Sequence, residues 1–212
     1  MRSIRTLLLA TVLSACSSTP ASAGTEKASP PPKGDVAVAF SGGCFWCMEA
    51  AFDGVPGVVS ATSGYTGGKI EGPTYEQVSS HQTQHRESVR VVFDPKKISY
   101  AKLLDIYWHN VDPTQSNGQF CDHGHQYTSA IWVSTPEERA LAEKTKAEAQ
   151  KDLGQPVVTV IRDAQLFWVA EAYHQDYHDT HPVQYHRYHT GCGRDARLKQ
   201  LWGDKAGGGP TD

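Results

Sequence analysis

Two cysteines, Cys44 and Cys47, stand three residues apart in the segment SGGCFWCMEAAF, with two aromatic residues between them. Two glycines precede the pair, and a run of helix-forming residues follows it. Cysteines at this spacing can form a structural disulfide, bind a metal ion or act as nucleophiles. These three roles need different surroundings, so the secondary-structure elements around the two cysteines indicate which role the pair has.

The position of Cys44 in the chain favours catalysis. Residues 36–40, VAVAF, are typical of a buried strand, and residues 44–52 are predicted to form a helix after the Gly-Gly turn. Unpaired N–H groups and the helix dipole stabilise a thiolate at a helix start, which predicts a lowered pKa for Cys44 and a nucleophile at neutral pH. Cys47 lies one turn further along the same helix face.

A carboxyl group is predicted on the apolar side of a later strand. Residues 86–93, RESVRVVF, alternate so that Glu87 shares one face with Val89, Val91 and Phe93. Desolvation on that face favours the neutral carboxyl and raises its pKa. A neutral carboxyl in this place is what a general acid requires.

The remaining pattern predicts strands that alternate with helices, which gives one sheet with helices packed against it. Thr74 and Gln77 form a capping box for a short helix, and Thr135-Pro136 opens a helix that stops at Gly154. Residues 112–126 are rich in turn formers and are predicted to be a long loop. The further predicted elements are a helix at 99–111 and strands at 58–65, 127–133 and 157–161.

Composition excludes some functions and supports others. The chain has 212 residues, a formal net charge of -3 and 39% hydrophobic residues. It is long enough for one stable domain without disulfides. No basic stripe is present, which disfavours a nucleic-acid partner, and no apolar run in the body of the chain is long enough to span a bilayer.

The first residues predict export. Arg2 and Arg5 precede a short apolar run in MRSIRTLLLATVLSAC, which is typical of a secretory signal. Residues 13–16, LSAC, resemble the bacterial lipoprotein box, which predicts a signal peptide at 1–15, lipid on Cys16 and a periplasmic protein tethered to the outer membrane. Cleavage after Ala23 is the alternative. The Ser- and Pro-rich residues 16–34 are predicted to be a flexible stalk.

Several motifs occur together in one order, and together they resemble the A-type peptide methionine sulfoxide reductases. The resemblance spans residues 36–190 and places the catalytic domain at 35–190, with a C-terminal tail at 191–212. Its motifs are GCFWCMEAAF, GYTGG at 64–68, PTYEQV at 73–78, HRESVRVVFDP at 85–95, GQFCDHGHQYTSAIW at 118–132 and AEAYHQDY at 170–177.

The resemblance implies an α+β two-layer sandwich of a mixed sheet with flanking helices and a ferredoxin-like core. It implies reduction of the S epimer of methionine sulfoxide, free or in proteins, with Cys44 as nucleophile and Glu87 as acid. Tyr75 and Tyr127 would donate hydrogen bonds to the sulfoxide oxygen, and Asp122 would help to hold the site. The substrate methyl group would lie against Phe45 and Trp46.

The resemblance also implies that attack by Cys44 leaves a sulfenic acid, which a second cysteine converts to a disulfide. Cys192 and Cys47 are equal candidates for this resolving role, and Cys121 is a third. No metal or organic cofactor is implied. A thioredoxin-like dithiol would restore the thiols, and the enzyme is expected to be a monomer that repairs oxidised proteins.

Two other functions remain as alternatives. A thiol–disulfide oxidoreductase would also place a CxxC pair at a helix start, although its aromatic residue would precede the first cysteine. Histidine pairs at i, i+4, namely His81 with His85 and His174 with His178, could bind zinc on a helix. A disulfide-stapled binding module is the non-enzymatic alternative.

Overall fold

A six-stranded mixed sheet forms the centre of the fold in the computed structural model, which describes residues 26–208. Its strands, with those of a separate two-stranded hairpin (β4 and β5), are β1 Val36–Ser41, β2 Val58–Thr66, β3 Arg86–Phe93, β4 Gly118–Gln119, β5 Asp122–His123, β6 Ala130–Val133, β7 Val160–Asp163 and β8 Trp168–Val169. The helices are α1 Phe45–Phe52, α2 Tyr75–Ser79, α3 Tyr100–His109, α4 Pro136–Leu153, α5 Tyr177–Thr180, α6 Pro182–Gly191 and α7 Arg194–Trp202.

The strand order in the large sheet is β7-β6-β1-β3-β2-β8. The central strands β6, β1, β3 and β2 pair with one another in antiparallel orientation, while the edge strand β7 runs parallel to β6. This central order, with α1 between β1 and β2 and α3 between β3 and β6, is the ferredoxin-like arrangement. The predicted α+β fold with a mixed sheet and flanking helices is therefore confirmed.

The main core lies where α1 and α3 meet the sheet and α4 packs against α3. Aromatic rings fill its centre, because Phe40 of β1 stacks on Phe52 at 5.2 Å and on Tyr107 at 5.1 Å between ring centroids. All three side chains are fully buried. This packing holds the end of β1 and the start of α1, and thus the cysteine pair, on a rigid base.

Capping residues in the sequence predicted several helix ends correctly. The Thr74 side chain accepts from the Gln77 N–H while the Gln77 side chain accepts from the Thr74 N–H, which is the predicted capping box. The Thr135 cap and Pro136 begin α4, and Gly154 ends it with φ of 64°. A left-handed residue in this position favours glycine.

Other segments differ from the prediction. Residues 112–126 contain the β4–β5 hairpin and end within a 3-10 turn at His125–Tyr127, so the strand predicted at 127–133 begins only at Ala130. The strand predicted at 157–161 lies at Val160–Asp163. Hydrogen bonds from side chains such as Gln119 hold this loop, and they leave no periodic signal in the sequence.

Parts of the predicted stalk and of the C-terminal tail are ordered. Within the stalk assigned to 16–34, Lys27 pairs with Trp168, and the Val169 N–H donates to the Glu26 carbonyl. Within the tail assigned to 191–212, α7 buries Leu198 and Trp202 in the core. These contacts order both segments by pairing and apolar burial.

The predicted signal peptide at 1–15 and the lipidation site Cys16 lie outside the described residues. Between residues 26 and 208, no helix is both long enough and apolar enough to cross a membrane.

Candidate active site

Cys44 is the N-cap residue of α1, so the helix begins one residue later than predicted. The chain reaches it through Gly42 and Gly43, and Gly43 adopts φ of 87°. A Cβ atom on Gly43 would lie 2.6 Å from the Gln119 Cβ, so both the turn and the close approach require glycine there. The Cys44 carbonyl accepts from the Cys47 N–H at 3.2 Å, which starts the helix.

Glu87 lies directly in front of this helix start. Its Oε2 accepts a hydrogen bond from the Phe45 N–H at 3.1 Å, and its side chain is 2% exposed. Burial raises the pKa of Glu87 to about 8, although the Phe45 N–H opposes the shift. The predicted desolvated carboxyl on the apolar strand face is confirmed, and it is mostly protonated at neutral pH.

The expected thiolate on Cys44 is not what the structure favours. Burial raises the pKa of Cys44 well above its usual value, and the neighbouring Cys47 and Glu87 add to the rise. A hydrogen bond from Cys44 instead lowers the pKa of Cys47 to about 7. The direction of the shift is therefore opposite to the one predicted from the helix dipole, because burial of Cys44 disfavours its thiolate.

One small cavity of about 70 Å³ brings the predicted catalytic and substrate-binding residues together. Its volume suits a group of a few heavy atoms. Two larger clefts, of about 300 and 400 Å³, lie elsewhere, and neither is lined by a cysteine. The lining residues of the small cavity are Cys44, Phe45, Trp46, Tyr75, Glu87, Asp122, Tyr127 and Tyr188.

Hydroxyl donors surround the cavity. Burial raises the pKa of Tyr75 to about 12 and also raises the pKa of Tyr127, so both phenols stay protonated. Burial likewise raises the pKa of Asp122, which accepts a hydrogen bond from the Tyr188 hydroxyl. The sequence analysis missed Tyr188, whose only signal is its place one helical turn before Cys192.

Aromatic rings form the apolar wall of the cavity. Phe45 is 1% exposed and packs against Tyr65 at 5.8 Å between ring centroids. The Trp46 ring stacks on Tyr177 at 3.8 Å with the planes 7° apart, and its indole N–H donates to His174 Nδ1 at 3.2 Å. This wall is therefore fixed from outside by the segment that leads into the start of α5.

That segment, residues 171–177, contains positioning residues that the sequence analysis used only as part of a motif. Glu171 accepts from the Tyr75 N–H at 2.8 Å and from the Tyr65 hydroxyl at 2.9 Å. Burial lowers the pKa of His174 to about 4, so its ring is neutral and can accept from Trp46. Nothing in their spacing alone marks these residues as neighbours of the cysteines.

The four cysteines of the described chain fall into two pairs. Cys121 and Cys192 form a disulfide with their Cα atoms 4.9 Å apart, whereas Cys44 and Cys47 are free and buried. Cys121 is exposed beside Asp122, and Cys192 follows the last turn of α6. Cys121 was expected to be the weakest candidate for redox chemistry, yet it is bonded to the cysteine that was ranked first with Cys47.

The histidines do not gather around the cysteines. Within residues 26–208, two groups have ligand atoms close enough to share a metal ion. One comprises Cys121, Asp122 and Cys192, whose sulfurs are already bonded to each other. The other comprises Asp53, His178 and Asp179 and includes two exposed carboxylates. His85, by contrast, accepts from a backbone N–H through Nδ1 and contacts a backbone carbonyl through Nε2.

Known proteins resemble this chain over most of its length. The sequence profile of the family "Peptide methionine sulfoxide reductase" matches residues 36–206. Peptide methionine sulfoxide reductase MsrA 2 of Caulobacter vibrioides is 53% identical over 173 residues, which cover 81% of this chain and 87% of the relative.

Solved structures agree with the sequence relatives. Reduced Mxr1 from Saccharomyces cerevisiae superposes with a TM-score of 0.69 at 30% identity, covering 73% of this chain and 90% of the yeast chain. Methionine sulfoxide reductase A of Corynebacterium diphtheriae superposes with a TM-score of 0.65 at 30% identity, covering 71% of this chain and 77% of the bacterial chain. The chain therefore belongs to the peptide methionine sulfoxide reductase family, with relatives of the MsrA type.

Proposed function

We propose that this chain reduces methionine S-sulfoxide to methionine, both free and within proteins. The observation that carries the proposal is the single cavity in which a cysteine, a protonated carboxyl, two phenols and an aromatic wall converge. The preference for the S epimer rests on the resemblance to A-type enzymes. A thiol–disulfide oxidoreductase is disfavoured, because Cys44 and Cys47 are only 6% and 5% exposed and Cys44 faces a cavity that also holds an acid and phenols, which disulfide exchange does not need.

In the first step, the Cys44 sulfur attacks the sulfoxide sulfur. Glu87 protonates the sulfoxide oxygen, while the phenols of Tyr75 and Tyr127 donate hydrogen bonds to it. The proton of the Cys44 thiol passes to the Cys47 thiolate. The sulfur–oxygen bond of the sulfoxide and the new sulfur–sulfur bond then break, the protonated oxygen passes to the Cys44 sulfur as a hydroxyl group, methionine leaves, and Cys44 becomes a sulfenic acid. The sulfoxide sulfur is reduced, and Cys44 is oxidised.

In the second step, Cys47 resolves the sulfenic acid. The Cys47 thiol attacks Cys44, forms a disulfide and releases water with the sulfenic oxygen, and Glu87 regains its proton from solvent. Cys47 is favoured because it lies one helical turn after Cys44 and shares a hydrogen bond with it.

An external dithiol then has to supply two electrons. Cys121 is exposed, so the Cys121–Cys192 disulfide is the one that a protein can reach. Cys121 adjoins Asp122, and Cys192 lies one turn after Tyr188, so both flank the cavity. In its dithiol form we expect this pair to reduce the Cys44–Cys47 disulfide by exchange, which leaves the Cys121–Cys192 disulfide for a thioredoxin-like protein to reduce. Yeast Mxr1 has been solved in complex with Trx2.

The biological setting follows from the N-terminal sequence. Export, lipid on Cys16 and a tether to the outer membrane would place a monomeric enzyme in the periplasm, where it would repair oxidised envelope proteins. Mass analysis of the mature N-terminus tests this. A diacylated Cys16 supports the tether, and an unmodified chain that starts at Gly24 contradicts it.

Single-turnover assays test the function itself. Pre-reduced protein, without added reductant, is mixed with a peptide that contains methionine S-sulfoxide or with the same peptide carrying the R epimer. The methionine formed is then quantified. We expect turnover of the S epimer alone and none in Cys44→Ser. If folded, fully reduced wild type leaves the S epimer unchanged, the proposal fails.

A further inference from the structure

The N-terminal segment, residues 26–29, pairs with the outer edge of β8. The Ala28 N–H donates to the Phe167 carbonyl at 3.0 Å, and the Val169 N–H donates to the Glu26 carbonyl at 2.9 Å. These two bonds have the length and the antiparallel pattern of a regular ladder. The segment therefore extends the large sheet by one short strand beyond β8.

Arg90 of β3 holds the far end of this segment. Its guanidinium donates to the Ser29 carbonyl at 2.9 Å. Arg90 alternates along β3 with the buried Val89 and Val91, so it reaches Ser29 over the face of the sheet that points away from the core. Two kinds of contact, one from the backbone and one from a side chain, thus fix the segment independently.

One row of directly opposed residues joins the segment to the proposed acid. Glu87 of β3 lies opposite Tyr65 of β2, and Tyr65 lies opposite Trp168 of β8. Trp168 in turn lies opposite Lys27. Residues that face one another across a sheet have their side chains on the same face, so the whole row lies on the face of the sheet that holds the cavity. Lys27 is three strands from Glu87, or roughly 14 Å at the usual strand spacing.

The strand β8 in turn supports the aromatic wall of the cavity. Trp168 and Ala170 pack in one cluster with Phe45 and Tyr75, which line the cavity. Glu171, the next residue, accepts a hydrogen bond from the Tyr75 N–H at 2.8 Å. A displacement of β8 would therefore move two rings that line the cavity.

The short length of β8 makes it depend on its outer neighbour. It consists of Trp168 and Val169, and each is paired with one residue of β2. The N-terminal segment supplies the hydrogen bonds on the other side. A two-residue strand with an open outer edge would have few hydrogen bonds, and those would be exposed, which is typical of segments that open locally.

We infer that residues 26–29 are positioning residues of the active site, a role that rests on the proposed function of the cavity. They hold β8 against β2, and β8 holds Phe45 and Tyr75 in the geometry that receives the substrate. The segment is thus part of the catalytic domain, whose predicted start was residue 35.

Two proline substitutions in the full-length chain test the inference. Proline lacks an N–H, so Ala28→Pro removes the hydrogen bond to the Phe167 carbonyl. Lys27→Pro is the matched control, because Lys27 faces Trp168 as a pair without direct hydrogen bonds and its own N–H points away from β8. Hydrogen exchange of the Val169 amide should accelerate in Ala28→Pro and stay slow in Lys27→Pro.

Single-turnover rates over a range of concentrations of a methionine S-sulfoxide peptide show how this loosening affects the site. Ala28→Pro should raise the half-saturating concentration by about 10-fold, since a misplacement of about 1 Å can cost up to about 100-fold. The maximal rate should change less, because the aromatic wall contacts the substrate equally in the ground state and in the transition state. Lys27→Pro should match the wild type.

A second variant loosens the segment at its other end. Arg90→Gln removes the hydrogen bond to Ser29 and should shift the half-saturating concentration in the same direction, while Arg90→Lys should restore it in part. Arg162→Gln is the control, because it removes an exposed cation from β7 on the same face of the sheet.

An unchanged half-saturating concentration in Ala28→Pro overturns the inference, and so does an equal change in Lys27→Pro. A lower maximal rate alone overturns it too, because a partly unfolded sample loses active molecules without losing affinity. If Ala28→Pro does not fold, Arg90→Gln decides. Failure of both variants to fold would assign the segment to stability alone and overturn the inference.

The same assays separate this inference from the proposed function. Wild-type turnover of the S-sulfoxide combined with any of these negative results defeats the role of the segment alone. A folded wild type without turnover defeats the proposed function, and the positioning role fails with it.

Discussion

Glu87 accepts the Phe45 N–H at 3.1 Å, which places the acid and the nucleophile at the two sides of one helix start. Cys44 ends the turn before α1, and Phe45 is the first residue of that helix. The first free N–H of the helix thus orients the carboxyl that must protonate the substrate. A single backbone group couples the position of Glu87 to the position of Cys44.

Replacing Glu87 with glutamine should slow single turnover by roughly 10²–10⁴-fold, the usual contribution of a general acid. The amide keeps the shape and can still face the Phe45 N–H through its oxygen, but it has no proton to give. Quenched-flow measurement of methionine formation gives the rate. Glu76→Gln, on an exposed position of α2, is the control, and equal loss in both variants would contradict the role of Glu87.

The wild-type rate should fall as pH rises through about 8, where Glu87 loses its proton. Glu87→Gln should lose this alkaline limb, because its side chain does not titrate there. A pH–rate profile of single turnover checks both curves. An alkaline limb that persists unchanged in Glu87→Gln would show that another group supplies the proton.

Removing one phenol from the cavity should weaken transition-state binding of the sulfoxide oxygen. Tyr75→Phe and Tyr127→Phe should each lower kcat/KM by about 10- to 100-fold, since a hydrogen bond to a charged group contributes about 1.5–3 kcal/mol. Tyr100→Phe, away from the cavity, is the control. Full activity in both cavity variants would mean that the phenols do not contact the oxygen.

Protein stability should decline as pH rises from about 4.5 towards 8. Burial raises the folded-state pKa of Glu49 to about 7 and that of Glu87 to about 8, so the folded chain binds more protons than the unfolded chain in this window. Glu49→Gln keeps a partner for the Ser63 hydroxyl, which donates to Glu49 at 2.9 Å. It should flatten the slope of the free energy of unfolding against pH, measured by urea titration. An unaltered slope would show that Glu49 is not protonated in the folded chain.

The sequence predicted the centre of the site better than its surroundings. Glu87 could be placed because strand alternation is strict, and Cys44 because a strand, two glycines and a helix follow one another. The roles of His174 and Glu171 depend on chain segments more than 80 residues from their partners in sequence. The direction of the pKa shift of Cys47 could not be predicted either, because it depends first on a hydrogen bond from Cys44, which leaves no pattern in the sequence.

The most direct test of the account traps the first product on Cys44. Pre-reduced Cys47→Ser protein is given one equivalent of methionine S-sulfoxide with dimedone, which captures sulfenic acids, and peptides are mapped by mass spectrometry. The account predicts slower release of methionine, because Cys47 no longer accepts the Cys44 proton, and one dimedone adduct on Cys44 for each methionine released. Methionine formed without an adduct on Cys44, or with the adduct on Cys121 or Cys192, would contradict it.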